Sequence, residues 1–162
     1  MAASETPLGP PLLLDTTVYL HVLRGRTPPA VDGLLRTRTL HHSATAVAEL
    51  AFRLGARRPA NAPERAARAQ LQGAIDDIPA HRLVWPTPDV WAAAGVLAGI
   101  RARLGKLPAE QQGLNDALIL LQASRVGAMV LTANIEDFDI LSQIVPGSAV
   151  VFYRENAVRA GP

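Results

Sequence analysis

The sequence predicts an α/β domain in which a parallel sheet is covered by helices on both faces. Three observations point to it. Five short apolar runs alternate with longer segments of helical character. The runs are nearly continuous in apolar residues rather than alternating, as in strands buried on both faces. The chain has 162 residues, 49% hydrophobic and 19% charged, which suits one domain with one core and excludes a disordered chain.

The elements follow in order. Leu12–Leu14 is a short buried strand ending on Asp15, after a turn-rich Pro7–Pro11. Thr16–Leu23 suits a first helix, with Gly25 past its end. Ala30–Arg36 follows Pro28 and Pro29 as a second helix, and Thr39–Ser43 reads as a second strand. Ala44–Leu54 is helical with Gly55 as a stop, Pro59–Pro63 is a loop, and Glu64–Asp77 is an Ala-rich polar helix. His81–Trp85 reads as a third strand, ended by Pro86 and Pro88. Asp89–Leu104 is a long helix with Val90, Leu97, Ile100 and Leu104 on a recurring face. Gly105–Gly113 reads as a loop and Asn115–Val126 as an apolar helix too short to span a bilayer. Ala128–Leu131 is a fourth strand, Asp137–Ile144 a short helix and Ala149–Tyr153 a fifth strand. No repeat, linker or low-complexity stretch interrupts them, so residues 1–162 read as a single domain with its core at about 12–154.

Composition removes several classes of function. The chain has no cysteine, which excludes a disulfide framework, thiolate chemistry and a Cys-based zinc site. Met1–Pro11 carries no basic leader region, so neither a secretory signal nor a membrane anchor is expected there, and a cytoplasmic location follows by default. Net charge is only +2, yet residues 1–109 hold 13 basic residues against 8 acidic, and residues 110–162 hold 3 against 6. Of the 16 basic residues only Lys106 is a lysine. Arginine pairs bidentately with phosphate, so Arg24, Arg26, Arg36, Arg38, Arg53, Arg57 and Arg58 are candidates for a nucleic-acid groove, although each alone is better explained as a solvated side chain.

Four acids carry the chemistry: Asp15, Glu49, Asp116 and Asp137. Each has a local explanation. Asp15 before Thr16 and Thr17 is a good helix N-cap. Glu49 lies in the early part of a helix, where the macrodipole favours an anion. Asp116 opens an apolar helical run, and an acid among Glu136, Asp137 and Asp139 can cap the following short helix. Asp137 is preferred to Asp139 because it lies nearer the end of the fourth strand. Ligands of parallel sheets bind beyond the carboxyl ends of the strands, where strand order reverses, and Asp15 sits at such an end. Like charges about 4 Å apart repel by roughly 4 kcal/mol at an effective dielectric of about 20. Converging acids therefore either hold protons or surround a divalent cation, and an acid-only set without His or Cys suits a hard cation.

Four segments carry a family resemblance: Leu14-Asp15-Thr16-Thr17-Val18, Ser43-Ala44-Thr45-Ala46-Val47-Ala48-Glu49-Leu50, Asn115-Asp116-Ala117-Leu118-Ile119 and Leu131-Thr132-Ala133-Asn134-Ile135-Glu136-Asp137-Phe138. In this order and rough spacing they resemble the PIN-domain family, and within it the VapC-type toxins of bacterial toxin–antitoxin pairs. The resemblance implies a Rossmann-like fold with a five-stranded sheet of order 3-2-1-4-5. It implies an endoribonuclease dependent on Mg²⁺ or Mn²⁺, with Asp15, Glu49, Asp116 and Asp137 as its acids and products ending in 5′-phosphate and 3′-hydroxyl. Thr17 matches the family's hydroxyl residue after the first Asp, Asn115 precedes the third acid, and Thr132 and Asn134 match the polar pair before the last. Where the family often has a basic residue after that threonine, this chain has Ala133. Asp15 and Asp116 are expected to ligate the metal most directly, with Glu49 and Asp137 holding its waters or a second ion, and one of them serving as general base. The resemblance further implies an RNA substrate, a small antitoxin whose C-terminal segment blocks the groove, and a homodimer.

The remaining features are weighed against plainer roles. His41 and His42 lie on the second strand, and Trp85 and Trp91 frame a Pro-rich bend and are expected to pack the core. Val18, Leu20, Val22 and Leu34 are candidates for a partner surface, with core packing the more ordinary use. A dinucleotide site would need a Gly-rich turn after the first strand, which Asp15-Thr16-Thr17 does not supply. A phosphoaspartate receiver would need a lysine near the last strand. A nuclease of RNA or DNA processing without an antitoxin, or a PIN-like module that binds nucleic acid without cutting it, are the alternatives.

Overall fold

A computed structural model describes residues 9–104 and 110–156, with the side chains of 110–112 excepted. The first strand, β1 (Leu12–Leu14), is followed by α1 (Thr16–Leu23) and α2 (Pro29–Thr37), then β2 (Leu40–Ser43), α3 (Ala44–Ala56) and α4 (Ala62–Asp76). A 3₁₀ turn, Ala80–Arg82, leads into β3 (Leu83–Val84), α5 (Pro88–Arg103) and α6 (Glu110–Arg125). The chain closes with β4 (Met129–Thr132), α7 (Ile135–Ile144) and β5 (Val150–Phe152). All pairings are parallel and the sheet order is β3-β2-β1-β4-β5. The predicted α/β class and strand order are both observed.

The central strands explain why the sheet forms. Leu12, Leu13, Leu14, Val130 and Leu131 are all buried, and Leu14 stands in register with His42 on one side and Leu131 on the other. Over these strands pack Ala117, Leu118, Ile119 and Leu120 of α6, together with Val18, Leu50, Phe138 and Leu141. Burial of such aliphatic side chains is worth about 1.5–3 kcal/mol each relative to exposure. Ser43 joins β2 to α3 without a linker: its Oγ accepts from the Thr45 and Ala46 amides at 3.1 and 3.3 Å. Among the described residues no helix is long and apolar enough to cross a membrane.

Three boundaries and one buried face differ most from expectation. The helix α4 starts at Ala62, inside the expected Pro59–Pro63 loop, because Asn61 and Glu64 form a reciprocal cap. Asn61 accepts from the Glu64 amide at 2.9 Å while Glu64 accepts from the Ala60 amide at 2.9 Å. Pro63 is tolerated in that first turn because its missing N–H would have no partner there. The third strand shrinks to Leu83–Val84, since residues 80–82 wind into the 3₁₀ turn. On α5 the buried stripe is Val90, Ala94, Leu97 and Arg101, while Leu104 is exposed. Finally, α6 begins at Glu110 rather than near Asn115, so Asp116 lies in its second turn and does not open it. The rest of the expected loop, 105–109, lies outside the described residues, and with it Lys106.

Candidate active site

Strand order reverses between β1 and β4, and the chemistry collects just beyond their carboxyl ends. Asp15 leaves β1 with its amide still bonded to the Leu131 carbonyl at 3.1 Å. Its Oδ2 accepts from Thr17 Oγ1 and from Thr132 Oγ1, both at 2.8 Å. The Thr17 amide also points to that oxygen at 3.4 Å, so Asp15 caps α1 while facing the site. Thr17 Oγ1 in turn accepts from the Ala133 amide at 3.1 Å, and Thr132 Oγ1 from the Asn134 amide at 2.9 Å. Two hydroxyls thus clamp the ends of β1 and β4 together and fix the Asp15 carboxylate.

Glu49 reaches the same place from α3. It accepts from Thr16 Oγ1 and, at its other oxygen, from Asn115 Nδ2 at 2.8 Å. Asp116 is buried on α6 directly after Asn115. Asp15, Glu49, Asn115, Asp116 and Asn134 line one cavity of about 1030 Å³. Asp137 stands one step behind it. Its Oδ2 accepts from Asn134 Nδ2 at 2.9 Å and its Oδ1 from Arg101 Nη2. Asp139 is exposed and accepts from Gln143 Nε2 at 2.9 Å, so Asp137 is the acid of this pair that joins the others.

Arg101 had no place in the sequence reading. It comes up from α5, is 1% exposed, and forks between Asp116 Oδ2 at 3.4 Å and Asp137. Its Nε–H is buried without a partner. The signal for it was present: 101 continues the phase of 90, 94 and 97, whereas assigning Ile100 and Leu104 to the core turned the helix by one residue. The tryptophans expected in the core are corrected as well, Trp91 by the same phase and Trp85 by its place beyond β3. Trp91 is one position off the buried stripe and 48% exposed, and Trp85, just after β3, is 70% exposed. Both line the cavity, with Phe52 and Arg53. Of the seven arginines singled out for phosphate, Arg53 alone lines it, while Arg26 pairs with Glu155 and Arg57 with Glu64. Of the candidates for a partner surface, Val18 is buried, Leu20 and Leu34 are half-buried against the core, and Val22 is exposed. His41 and His42 do not line the cavity, and His42 Nδ1 lies 2.5 Å from the Tyr19 hydroxyl.

Among the described residues Arg101 is the one base paired with these four carboxyls, and only with Asp116 and Asp137. Burial pushes the Asp116 carboxyl up to about 8, helped by the nearby Asp15, Asp137 and Glu49 and opposed by Arg101. Burial also raises Asp15, against the hydrogen bonds from Thr132 and Thr17. Among the described residues no three acidic or histidine side chains close on a common point as a finished metal centre would. The donor set is all oxygen, which fits a hard cation that retains several waters and takes only one or two carboxylates.

The Asp116 shift has a measurable sign. Below its ordinary value of 3.8 both folded and unfolded chains hold the proton. Between there and about 8 the unfolded chain ionises while the folded one resists, so stability falls as pH rises through that window. The metal-free protein is therefore expected to melt at lower temperature at pH 8 than at pH 5, and Asp116→Asn should flatten that slope in a thermal melt series.

An acid-lined cavity at the switch point of a 3-2-1-4-5 parallel sheet defines a Rossmann-like class of domain. Residues 12–142 match the model for the PIN domain, and the chain belongs to the PIN domain family. No curated protein sequence matches it significantly. Among solved structures, FitAcB from Neisseria gonorrhoeae aligns with TM-score 0.63 and 23% identity over 88% of this chain and 96% of that one. VapBC-1 from nontypeable Haemophilus influenzae aligns with TM-score 0.62 and 16% identity over 87% and 96%. VapBC-5 from Mycobacterium tuberculosis, a member of the VapBC family of toxin–antitoxin systems, aligns with TM-score 0.57 and 22% identity over 90% and 99%. At these identities the likeness is one of fold.

Proposed function

We propose that this PIN-domain chain is a Mg²⁺- or Mn²⁺-dependent endoribonuclease and the toxin of a toxin–antitoxin pair. The observation that carries it is the convergence of Asp15, Glu49 and Asp116 on one cavity, where burial and then the neighbouring carboxyls push Asp116 up to about 8. A divalent cation held there would offset the gathered negative charge, lower the pKa of a water and neutralise charge on the phosphoryl oxygens.

The chain's own residues divide the remaining work. Asp15 and Asp116 would hold the cation most directly. Thr17 and Thr132 hold Asp15 in one orientation through their bonds to Oδ2. Glu49, fixed by Thr16 and Asn115, accepts the proton of the attacking water. Asp137 holds Arg101 against Asp116, with Asn134 steadying Asp137. The partners that follow are an RNA substrate, an antitoxin and a second copy of the chain, in the cytoplasm. Toxin–antitoxin assemblies among the fold neighbours support that part of the proposal.

Metal removal tests it. Purified protein should cleave single-stranded RNA in millimolar Mg²⁺ or Mn²⁺, fall to background in excess EDTA, and recover when the ion is restored. Equal cleavage in EDTA overturns the proposal.

A further inference from the structure

We propose that Phe52, Trp85 and Trp91 form a base-stacking subsite that takes unpaired nucleobases of the RNA strand next to the cut phosphate. This rests on the nuclease function proposed above. The chain has three Phe, two Trp and two Tyr. Tyr19, Tyr153 and Phe138 are buried, and Phe152 is half-buried against the core. The three that remain are 73%, 70% and 48% exposed, and all three line the cavity that holds Asp15, Glu49 and Asp116. The exposed aliphatics Val22, Val96, Leu104 and Val126 do not line it.

The three come from separate elements. Phe52 follows Glu49 by three positions on α3, so the two side chains are helix-surface neighbours. Trp85 directly follows β3 as Asp15 follows β1, both beyond the carboxyl ends of the strands, and Trp91 lies in the first turn of α5. Arg53 lines the same cavity and offers a cation to a neighbouring phosphate. An aromatic wall with a basic residue, continuous with the acids, matches how single strands are held: rings stack on bases while cations track the backbone. Every base has a stacking face, so this subsite tolerates sequence but demands unstacked bases, which a duplex does not present.

The test uses full-length protein made non-cutting by Asp116→Asn, with Mg²⁺ present, and compares a 12-nucleotide RNA with an abasic chain of equal length. The normal strand is expected to bind at least about 10-fold tighter. Trp85→Ala and Trp91→Ala should each weaken the normal strand by roughly 5- to 100-fold while leaving the abasic chain unchanged, and Trp→Phe should restore most of the loss. Thermal melts check that each variant is folded. Alanine variants that keep the full preference for bases overturn the subsite. So does an unchanged RNA affinity accompanied by a shift from dimer to monomer, because the aromatics then face a protein. Base-dependent binding by a wild-type chain that never cuts RNA would uphold the subsite while removing the nuclease.

Discussion

Asp116→Asn is expected to abolish metal-dependent RNA cleavage while making the metal-free protein more stable. The two effects share one cause. Asp116 is buried beside Asp15, Asp137 and Glu49, and its carboxyl is pushed up to about 8, so its ionised form opposes folding. Asparagine keeps the shape, and its carbonyl can still accept from Arg101 Nη1, which lies 3.4 Å from Asp116 Oδ2. What it loses is the negative charge proposed to hold a cation. Outer partners of metal ligands typically cost 10–100-fold, so a direct ligand should cost more than about 100-fold in cleavage rate. Single-turnover assays and metal-free melts at pH 8 read the two effects. Asp15→Asn should match it in activity. In a growth assay on induced expression, the wild type is expected to arrest growth and both variants are not. Retained cleavage, or a lower melting temperature for metal-free Asp116→Asn at pH 8, would sink the assignment.

Arg101→Met should have the largest effect on stability. The guanidinium is fully buried, is held by Asp116 and Asp137, and supplies the positive charge directly between them. Removing one partner of a buried ion pair costs about 3–5 kcal/mol, because the carboxylates left behind are desolvated without compensation. That is a large share of the 5–15 kcal/mol that typically holds a domain folded. Two further results follow from the electrostatic cause. Millimolar Mg²⁺ should restore part of the loss, and adding Asp116→Asn should recover part of it without metal, a coupling a double-mutant cycle measures. Denaturant unfolding within about 1 kcal/mol of wild type would show that Arg101 fills space and little more.

The balance between local and tertiary information can be followed residue by residue. Leu12–Leu14 was legible because three consecutive leucines before an Asp suit a strand buried on both faces, and the structure buries all three. The start of α4 was misplaced because the prolines at 59 and 63 outweighed the Asn61–Glu64 cap. The start of α6 was misplaced because Asn115 and Asp116 look like helix openers. Both errors arise from residues that serve equally well at a cap or a turn inside. Trp85 and Trp91 are expected in the core because they frame a Pro-rich bend, yet the exposure of Trp91 depends on which face of α5 packs against α6, where a one-residue error in phase moves a side chain by about 100°, and Trp85 lies beyond the end of the two-residue β3.

By itself, the sequence determined the α/β class, the run of strands and helices, and the presence of Asp15, Glu49, Asp116 and Asp137 at strand ends and on helices. Those follow from apolar periodicity and local residue chemistry, which act over a few positions. Only the tertiary structure decided that Asp15 shares two hydroxyls with the end of β4, that Asp137 rather than Asp139 faces the others, that Arg101 lies among them, and that three aromatics open onto the same cavity. Such placements join residues as many as 117 positions apart. The geometry between them is set by how helices pack on a twisted sheet, which a local pattern does not encode.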